Sequence, residues 1–301
     1  MTASKTRVWL VGGKGMLASA LAERLGALDV PFVSTDRELD ISDPAPVRAF
    51  AERERPTLII NSAAYTQVDD AESHEADALR VNANGPENLA SAARKVNARL
   101  LHFSTDYVFD GRSRTPYVED AATGPVTAYG RTKLAGEQRV CAVLPEASYI
   151  VRTSWLFGNN GPNFVKTIAG LLKTREELRV VDDQHGRPTY THDLAHASLA
   201  LLGLGERTAA APGVYHFANA EALTWHAFAL DIRAACEELG QKLAVQRIVA
   251  VTTEQFQRPA PRPAYSVLDT SKIETALGTK PRSFRAALRE YLRREFSAVP
   301  S

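Results

Sequence analysis

The sequence predicts an α/β fold: a doubly wound parallel sheet, followed by a smaller and more irregular α/β region. Three observations carry that prediction. In the first half, short and nearly continuous apolar runs alternate with stretches of helical period. Strands read this way when both faces are covered, the condition of a parallel sheet between two helix layers. After Trp155 the regularity breaks into turn clusters and shorter runs. The chain length of 301 residues corresponds to about two domains at roughly 150 residues each.

The elements follow in order. Val8-Trp9-Leu10-Val11 is a buried strand. Residues 16–28 form a helix with Leu17, Leu21 and Leu25 on one face. Val30-Pro31-Phe32-Val33 is a second strand. Residues 44–55 are an amphipathic helix that opens on Pro44, where a missing N–H does no harm. Leu58-Ile59-Ile60 is a third strand, 76–96 a helix, and Leu100-Leu101-His102-Phe103 a fourth strand. Residues 128–143 are helical and Tyr149-Ile150-Val151 is a fifth strand. Right-handed crossovers between these strands wind the sheet on both faces. Beyond Gly158-Asn159-Asn160-Gly161-Pro162, strand-like pieces stand at Leu178-Arg179-Val180-Val181, Val214-Tyr215-His216-Phe217 and 245–251. Helices are expected at 163–173, 193–204, 225–239 and 284–296. The division predicted is 1–154 and 155–301, with later segments near 190–220 joining the first unit.

Composition narrows the function. Lys and Arg number 36 against 35 Asp and Glu, a net charge of +1, without the basic excess of a nucleic-acid binder. No apolar run approaches the roughly 18 residues of a membrane span. The segment before Gly12 and Gly13 is too short for a signal sequence. The two cysteines, Cys141 and Cys236, sit in helices as incidental thiols. A cytoplasmic chain with no nucleic-acid or membrane partner is expected.

Val11-Gly12-Gly13-Lys14-Gly15-Met16-Leu17-Ala18 joins the first strand to the first helix. Glycine there lets the backbone approach a pyrophosphate, whose charge the helix N-terminus stabilises. Two registers fit, Gly13-x-Gly15-x-x-Ala18 and Gly12-x-x-Gly15-x-x-Ala18. Both mark a Rossmann-type dinucleotide site. Asp36, after the second strand, stands where an acid bonds the adenosine ribose. Asp36 favours NADH, whereas the adjacent Arg37 can pair with the 2′-phosphate of NADPH. The residues leave both open, and we take NADPH ahead of NADH.

Tyr129-Gly130-Arg131-Thr132-Lys133 opens the helix after the fourth strand, which ends in Ser104-Thr105. Positions i and i+4 share a helix face. A Lys133 ammonium there would lower the Tyr129 phenol pKa from about 10. Tyr129 would then give a proton to a developing alkoxide.

These residues, with Asn61-Ser62-Ala63-Ala64-Tyr65, resemble the extended short-chain dehydrogenase/reductases. Ser104-Thr105-Asp106-Tyr107-Val108-Phe109-Asp110-Gly111 and Tyr129-Gly130-Arg131-Thr132-Lys133-Leu134-Ala135-Gly136-Glu137 narrow the resemblance to the dTDP-4-dehydrorhamnose reductase family. Arg152-Thr153-Ser154-Trp155, Asp183-Gln184-His185-Gly186-Arg187-Pro188-Thr189 and Arg262-Pro263 extend it over nearly the whole chain. The resemblance implies reduction of a sugar-nucleotide C4 ketone, with Thr105, Tyr129 and Lys133 catalytic. It implies a cofactor site of Gly12, Gly15, Met16, Leu17, Asp36, Arg37, Asp40, Ile41, Ala63, Ala64 and Tyr65, completed by Tyr129 and Lys133. For the nucleotide-sugar it implies Thr105, Asp106, Tyr107, Trp155, Asn163, Gln184 and Arg262, and makes 155–301 mainly the substrate-binding domain. Trp155 would cover the sugar ring, and Arg262 would suit a diphosphate.

Other features carry less. His192 and His196 stand at metal-pair spacing, but the expectation is no metal site, with Mg2+ left open, and a monomer or homodimer. His74 and His102 are taken as structural. Arg285, Arg289, Arg293 and Arg294 alternate with Glu290 and Glu295 as a solvated helix face. The same scaffold serves as a non-catalytic dinucleotide-binding subunit elsewhere, and a reductase or epimerase of another sugar nucleotide is a further alternative.

Overall fold

The computed structural model describes residues 6–205 and 208–297. Residues 1–5 of the amino-terminal segment discussed above lie outside them. The first half carries β1 (Val8–Val11), α1 (Met16–Ala27), β2 (Phe32–Thr35), α2 (Pro44–Glu54), β3 (Leu58–Asn61), α3 (Val68–Ala71), α4 (Glu75–Leu79), α5 (Gly85–Val96), β4 (Arg99–Thr105), α6 (Ala128–Val143) and β5 (Ser148–Thr153). There follow β6 (Leu156–Phe157), α7 (Phe164–Leu172), β7 (Glu177–Val181), β8 (His185–Gly186), β9 (Thr189–Tyr190), α8 (Thr191–Leu201) and β10 (Gly213–His216). The chain ends with β11 (Leu223–Thr224), α9 (Trp225–Glu238), β12 (Arg247–Val251), α10 (Ser271–Leu277) and α11 (Phe284–Ser297).

Six strands form one sheet in the order β10-β5-β4-β3-β1-β2, and every pair in it is parallel. From β1 the chain moves outward to β2, then crosses back to lay β3 on the other side of β1. The winding direction reverses there, so a crevice opens at the carboxyl ends of β1 and β3. β10 comes from beyond residue 155 and pairs with β5.

Side-chain alternation along the strands feeds two cores. Val8, Leu10, Leu58, Ile60 and Leu101 face Leu17, Leu21 and Leu25 of α1 and Leu194 and Leu201 of α8. Trp9, Val11, Ile59, Leu100 and Ile150 face Val47 of α2 and Leu89 of α5. A third core gathers Phe157, Ile168, Phe228, Phe284 and Tyr291 in the second half. No helix among the described residues is long and apolar enough to cross a membrane.

The differences from the sequence reading have local causes. The second strand runs two residues later than expected. Pro31 has no N–H to pair, although its carbonyl accepts from Val8 N at 3.0 Å. The single helix expected at 76–96 is α4 and α5 joined by a π turn at Arg80–Asn84. Pro86 has no N–H to return to Asn82, so the ladder widens there. α3, α10 and the two-residue strands were not expected, being too short for periodicity to mark.

The π turn brings α6 close. A Cβ on Gly136 would lie 2.1 Å from the Asn82 carbonyl oxygen, whereas one on Gly26, on the exposed side of α1, meets nothing within 4 Å. Gly136→Ala should therefore cost about 1–3 kcal/mol of unfolding free energy through overpacking. Gly26→Ala should instead add about 0.4–1 kcal/mol by limiting the unfolded chain. Urea denaturation of the two variants checks the contrast.

Candidate active site

The carboxyl rim of the sheet holds a cleft of about 860 Å3 lined by Gly12, Gly15, Asp36, Arg37, Ala63 and Tyr65, among others. Gly12 has φ +77°, and a Cβ on it would stand 2.7 Å from Ala63 N. Only glycine lets the turn pass this close to the end of β3. Gly15 precedes α1 without a side-chain cap on that helix, so the first-turn N–H groups remain for a ligand. Met16 and Leu17 can contribute through those N–H groups alone. The Leu17 side chain lies in the core, and Met16 lines a different depression with His192 and Arg294.

Asp36 sits at the rim as expected, but its carboxylate accepts from Lys14 N and Arg37 N, both at 2.8 Å. The side chains of Lys14 and Arg37 line the same cleft. Asp40 and Ile41 also line it. The Asp40 carboxylate is held by Ser42 N at 2.9 Å and Ser42 Oγ at 2.8 Å. These bonds, the hydroxyl's first, keep it below the usual carboxylate range. Ala63, Ala64 and Tyr65 complete the wall, and the Tyr65 hydroxyl donates to Asp70.

At the end of β4, Thr105 Oγ1 donates to Asp106 Oδ1 at 3.0 Å and accepts from Tyr107 N at 3.2 Å. Thr127 caps α6 by accepting from Gly130 N at 3.0 Å, which puts Tyr129 in the first helical turn. There Tyr129 makes a hydrogen bond with Thr105. Its ring lies edge-on to Tyr107 at 5.6 Å and packs in one cluster with Tyr65. Thr105 is thus the hydroxyl of the Ser104-Thr105 pair that meets the tyrosine. Ser104 Oγ is buried without a hydrogen-bond partner.

Lys133 lies one turn further on and is 2% exposed. Its Nζ donates to the Phe103 carbonyl at 2.6 Å and lies 3.3 Å from His102 Nε2. Burial pulls its pKa down to about 8, against the charge of Glu137. The expected lowering of the Tyr129 pKa by Lys133 is not what the geometry provides. Burial pushes Tyr129 up to about 12, the Thr105 hydrogen bond opposes this, and the charge of Asp106 adds to it. The phenol is therefore protonated throughout the neutral range.

A second cleft, of about 600 Å3, lies between the sheet and the later helices. Tyr107, Gln184 and Arg262 line it with Phe164, Trp225 and Phe256. Arg262 is already paired, Nη2 to Asp69 at 2.9 Å, and donates to the Ala260 carbonyl at 2.9 Å. Gln184 donates to Thr253 Oγ1 at 2.9 Å. Two expected substrate residues are placed otherwise. Trp155 stacks on Trp225 at 3.5 Å, and Trp225 is the ring that faces the cleft. Asn163 caps α7 by accepting from Lys166 N at 3.0 Å and donates to Gly158 O at 2.9 Å. Its amide is spent on the helix start. Arg187, weighed as a phosphate ligand, instead donates to the Asn219 and Leu268 carbonyls, each at 2.9 Å.

Residues 6–296 match the RmlD substrate binding domain family. The chain belongs to this family. Its similarity to the RmlD-family dTDP-4-dehydrorhamnose reductase of Streptomyces griseus is 47% identity over 286 residues, 94% of this chain and 92% of that one. It is 44% identical over 282 residues to a dTDP-4-keto-6-deoxy-D-glucose reductase of Streptomyces niveus, 93% of this chain and 94% of that one. A crystal structure of dTDP-4-dehydrorhamnose reductase from Bacillus anthracis, in complex with NADP, superposes with a TM-score of 0.88. It shares 36% identity and covers 96% of this chain and 99% of that one.

Sequence reasoning within this family missed Lys14, Asp69, Phe164, Trp225 and Phe256. Lys14 stood inside the glycine turn and was passed over as a spacer. The aromatic residues come from separate elements that only tertiary folding joins.

Asp106 is 2% exposed. Burial raises its pKa to about 6, with hydrogen bonds from Ser266 and Thr105 partly offsetting this. Folded, it binds its proton more tightly than an unfolded Asp of about 3.9. The native state therefore loses stability as pH rises from about 4 to about 6, by about 2–3 kcal/mol. Asp106→Asn should flatten that part of the stability profile and raise stability at pH 7, as urea unfolding across the interval will show.

Proposed function

We propose that this protein reduces the C4 ketone of dTDP-4-dehydrorhamnose (dTDP-6-deoxy-L-lyxo-4-hexulose) to dTDP-L-rhamnose, a precursor of cell-surface polysaccharide. One observation carries this reading: Tyr129 stands between the two clefts. It packs with Tyr65 of the glycine-lined cleft and with Tyr107 of the aromatic one, and it bonds Thr105. A ketone brought to this junction from the aromatic side meets a protonated phenol.

The rim fits a nicotinamide dinucleotide. Gly12 leaves a space that a Cβ would fill, and the uncapped start of α1 offers its N–H groups to a pyrophosphate. Gly12, Gly15 and the Met16 and Leu17 amides would hold the diphosphate. Asp36, Arg37 and Lys14 would meet the adenosine ribose, with Asp40 and Ile41 near the adenine. Ala63, Ala64 and Tyr65 would lead toward the nicotinamide, whose ribose Tyr129 and Lys133 would hold. The cofactor, when bound, supplies the hydride.

The chain's own residues do the rest. Thr105 orients the ketone oxygen by a hydrogen bond. Tyr129 gives its proton to that oxygen as negative charge develops on it. Residues 155–301 mainly supply the sugar-nucleotide walls, Tyr107, Gln184, Phe164 and Trp225 packing on the base and sugar and Arg262 exchanging Asp69 for a phosphate. Because the Asp36 carboxylate is taken by two backbone N–H groups, the two cations beside it favour a 2′-phosphate and hence NADPH.

The decisive experiment crosses dTDP-, UDP- and GDP-linked 4-keto-6-deoxy sugars with NADH and NADPH. Oxidation of the cofactor only with the dTDP-4-dehydrorhamnose substrate, and rhamnose as the NMR-identified product, is the expected result. Tight cofactor binding with no turnover would sink the enzyme reading in favour of a regulatory subunit. Tyr129→Phe should lower kcat by about 10²-fold or more while cofactor affinity is nearly unchanged. A near-normal kcat would remove Tyr129 as donor. The Lys14→Ala, Arg37→Ala double variant should raise the KM for NADPH about tenfold or more and leave that for NADH nearly unaltered, measured by steady-state kinetics with each cofactor.

A further inference from the structure

Beneath the site, buried side chains from three elements form a chain that the reduction described above does not use. Asn61 ends β3, His102 lies in β4, and Lys133 is on α6. Asn61 Oδ1 accepts from Ala63 N at 3.1 Å. A backbone N–H can only donate, so the amide cannot be turned the other way without setting two donors face to face. Asn61 Nδ2 then points at His102 Nδ1, 3.0 Å away, and donates to it. Nδ1 must carry a lone pair. His102 is fully buried, and burial together with the neighbouring Lys133 holds its pKa well below the ordinary value, so the ring is neutral with its single proton on Nε2. That proton faces Lys133 Nζ at 3.3 Å. It finds an acceptor there only if the lysine nitrogen has a free lone pair.

We infer that Asn61 and His102 are positioning residues that act through Lys133, locking the imidazole proton on Nε2 so that the lysine is held as an uncharged amine. This inference rests on the reading of Lys133 as part of the reductase site and adds the device that governs its charge. The Lys133 amine donates to the Phe103 carbonyl and accepts from His102. Charging it would set an N–H of the ammonium against Nε2–H, unless Asn61 and His102 both rearranged. Other charges around it do not do this. Glu137, a turn further on along α6, favours the ammonium and is itself bound by Arg152 of β5 at 2.7 Å. Glu75 of α4 and Glu87 of α5 are taken by Arg131 and Arg139. Tyr129, a turn earlier, is protonated. The consequence is a tyrosine kept loaded with its proton, the form that reduction requires, because no ammonium beside it draws the proton off.

The experiment reads protonation directly and does not need turnover. Long-range 1H–15N spectra of histidine-labelled protein, with the His102 signals identified by their loss in His102→Gln, should show Nε2 protonated and Nδ1 bare. Lysine-labelled protein followed by 13C NMR should give a Lys133 titration well below that of an ordinary lysine. Asn61→Asp can only accept from His102, which moves the imidazole proton to Nδ1 and turns Nε2 toward the lysine as an acceptor. His102→Gln offers an amide oxygen at the same place. Both variants should raise the Lys133 titration, and the matching limb of the pH profile for reduction, by about one pH unit or more. Either variant that folds, judged by its thermal transition and cofactor binding, suffices for this reading. A wild-type spectrum with Nδ1 protonated would overturn the inference. An unmoved Lys133 titration in a folded variant would also overturn it, leaving the two residues a packing role alone. If no 4-keto sugar nucleotide is turned over, the reductase reading fails while the two titrations still decide this one.

Discussion

The site depends on one buried contact, the Lys133 nitrogen on the Phe103 carbonyl. A lysine 2% exposed loses its hydration, and desolvation of a charge is expensive unless partners replace the water. Here the partners are the backbone of β4 and the ring of His102. The bond therefore ties α6 to the central strand at a fixed height and rotation. Because Tyr129 sits one turn earlier on the same face, its hydroxyl comes to Thr105 at the strand end. The register of helix on strand and the geometry of the proton donor are thus one constraint.

Around that tie, several unusual local features share a purpose. The π turn at Arg80–Asn84 lets α6 approach so closely that Gly136 has no room for a side chain. The same turn frees Asn82, whose side chain accepts from Tyr65 N at 2.8 Å and donates to Thr132 Oγ1 at 3.1 Å. Asn82 so couples the cofactor-side loop to the catalytic helix. The buried Arg152–Glu137 pair, 2.7 Å apart, pins the next turn of α6 to β5. Such a pair adds little net stability after its desolvation, yet removing one partner is costly. Its worth here is in holding a helix whose other contacts are to a rim that must remain open.

Electrostatics at the two clefts follow a single logic despite a net charge of +1. The chain meets diphosphates with helix N–H groups and a few placed cations, not with bulk charge. Arg262 shows how those cations are kept ready. Asp69 on α3 holds it and also accepts from Ala260 N at 3.1 Å, so the Pro-rich segment is fastened across the junction of the two clefts.

Much of this was readable in the residues. The strands of the first half, the glycine turn, and Tyr129 with Lys133 depend on local periodicity or on an i to i+4 spacing, which short-range sterics enforce. What sequence could not reveal are relations between distant positions. Asn61, His102 and Lys133 lie on three elements, so the direction of each donor is set only when β3, β4 and α6 pack. Trp155 and Asn163 were chosen for their place after a strand or before a helix. Packing turned one ring onto Trp225 and spent the other residue as a cap. Sequence by itself determined the parallel sheet, the dinucleotide turn and the proton-donating helix, because each is a local pattern. Only the tertiary structure decided which protonation states the catalytic groups hold and which aromatic walls face the substrate, because burial and long-range donor–acceptor geometry exist only in the folded chain.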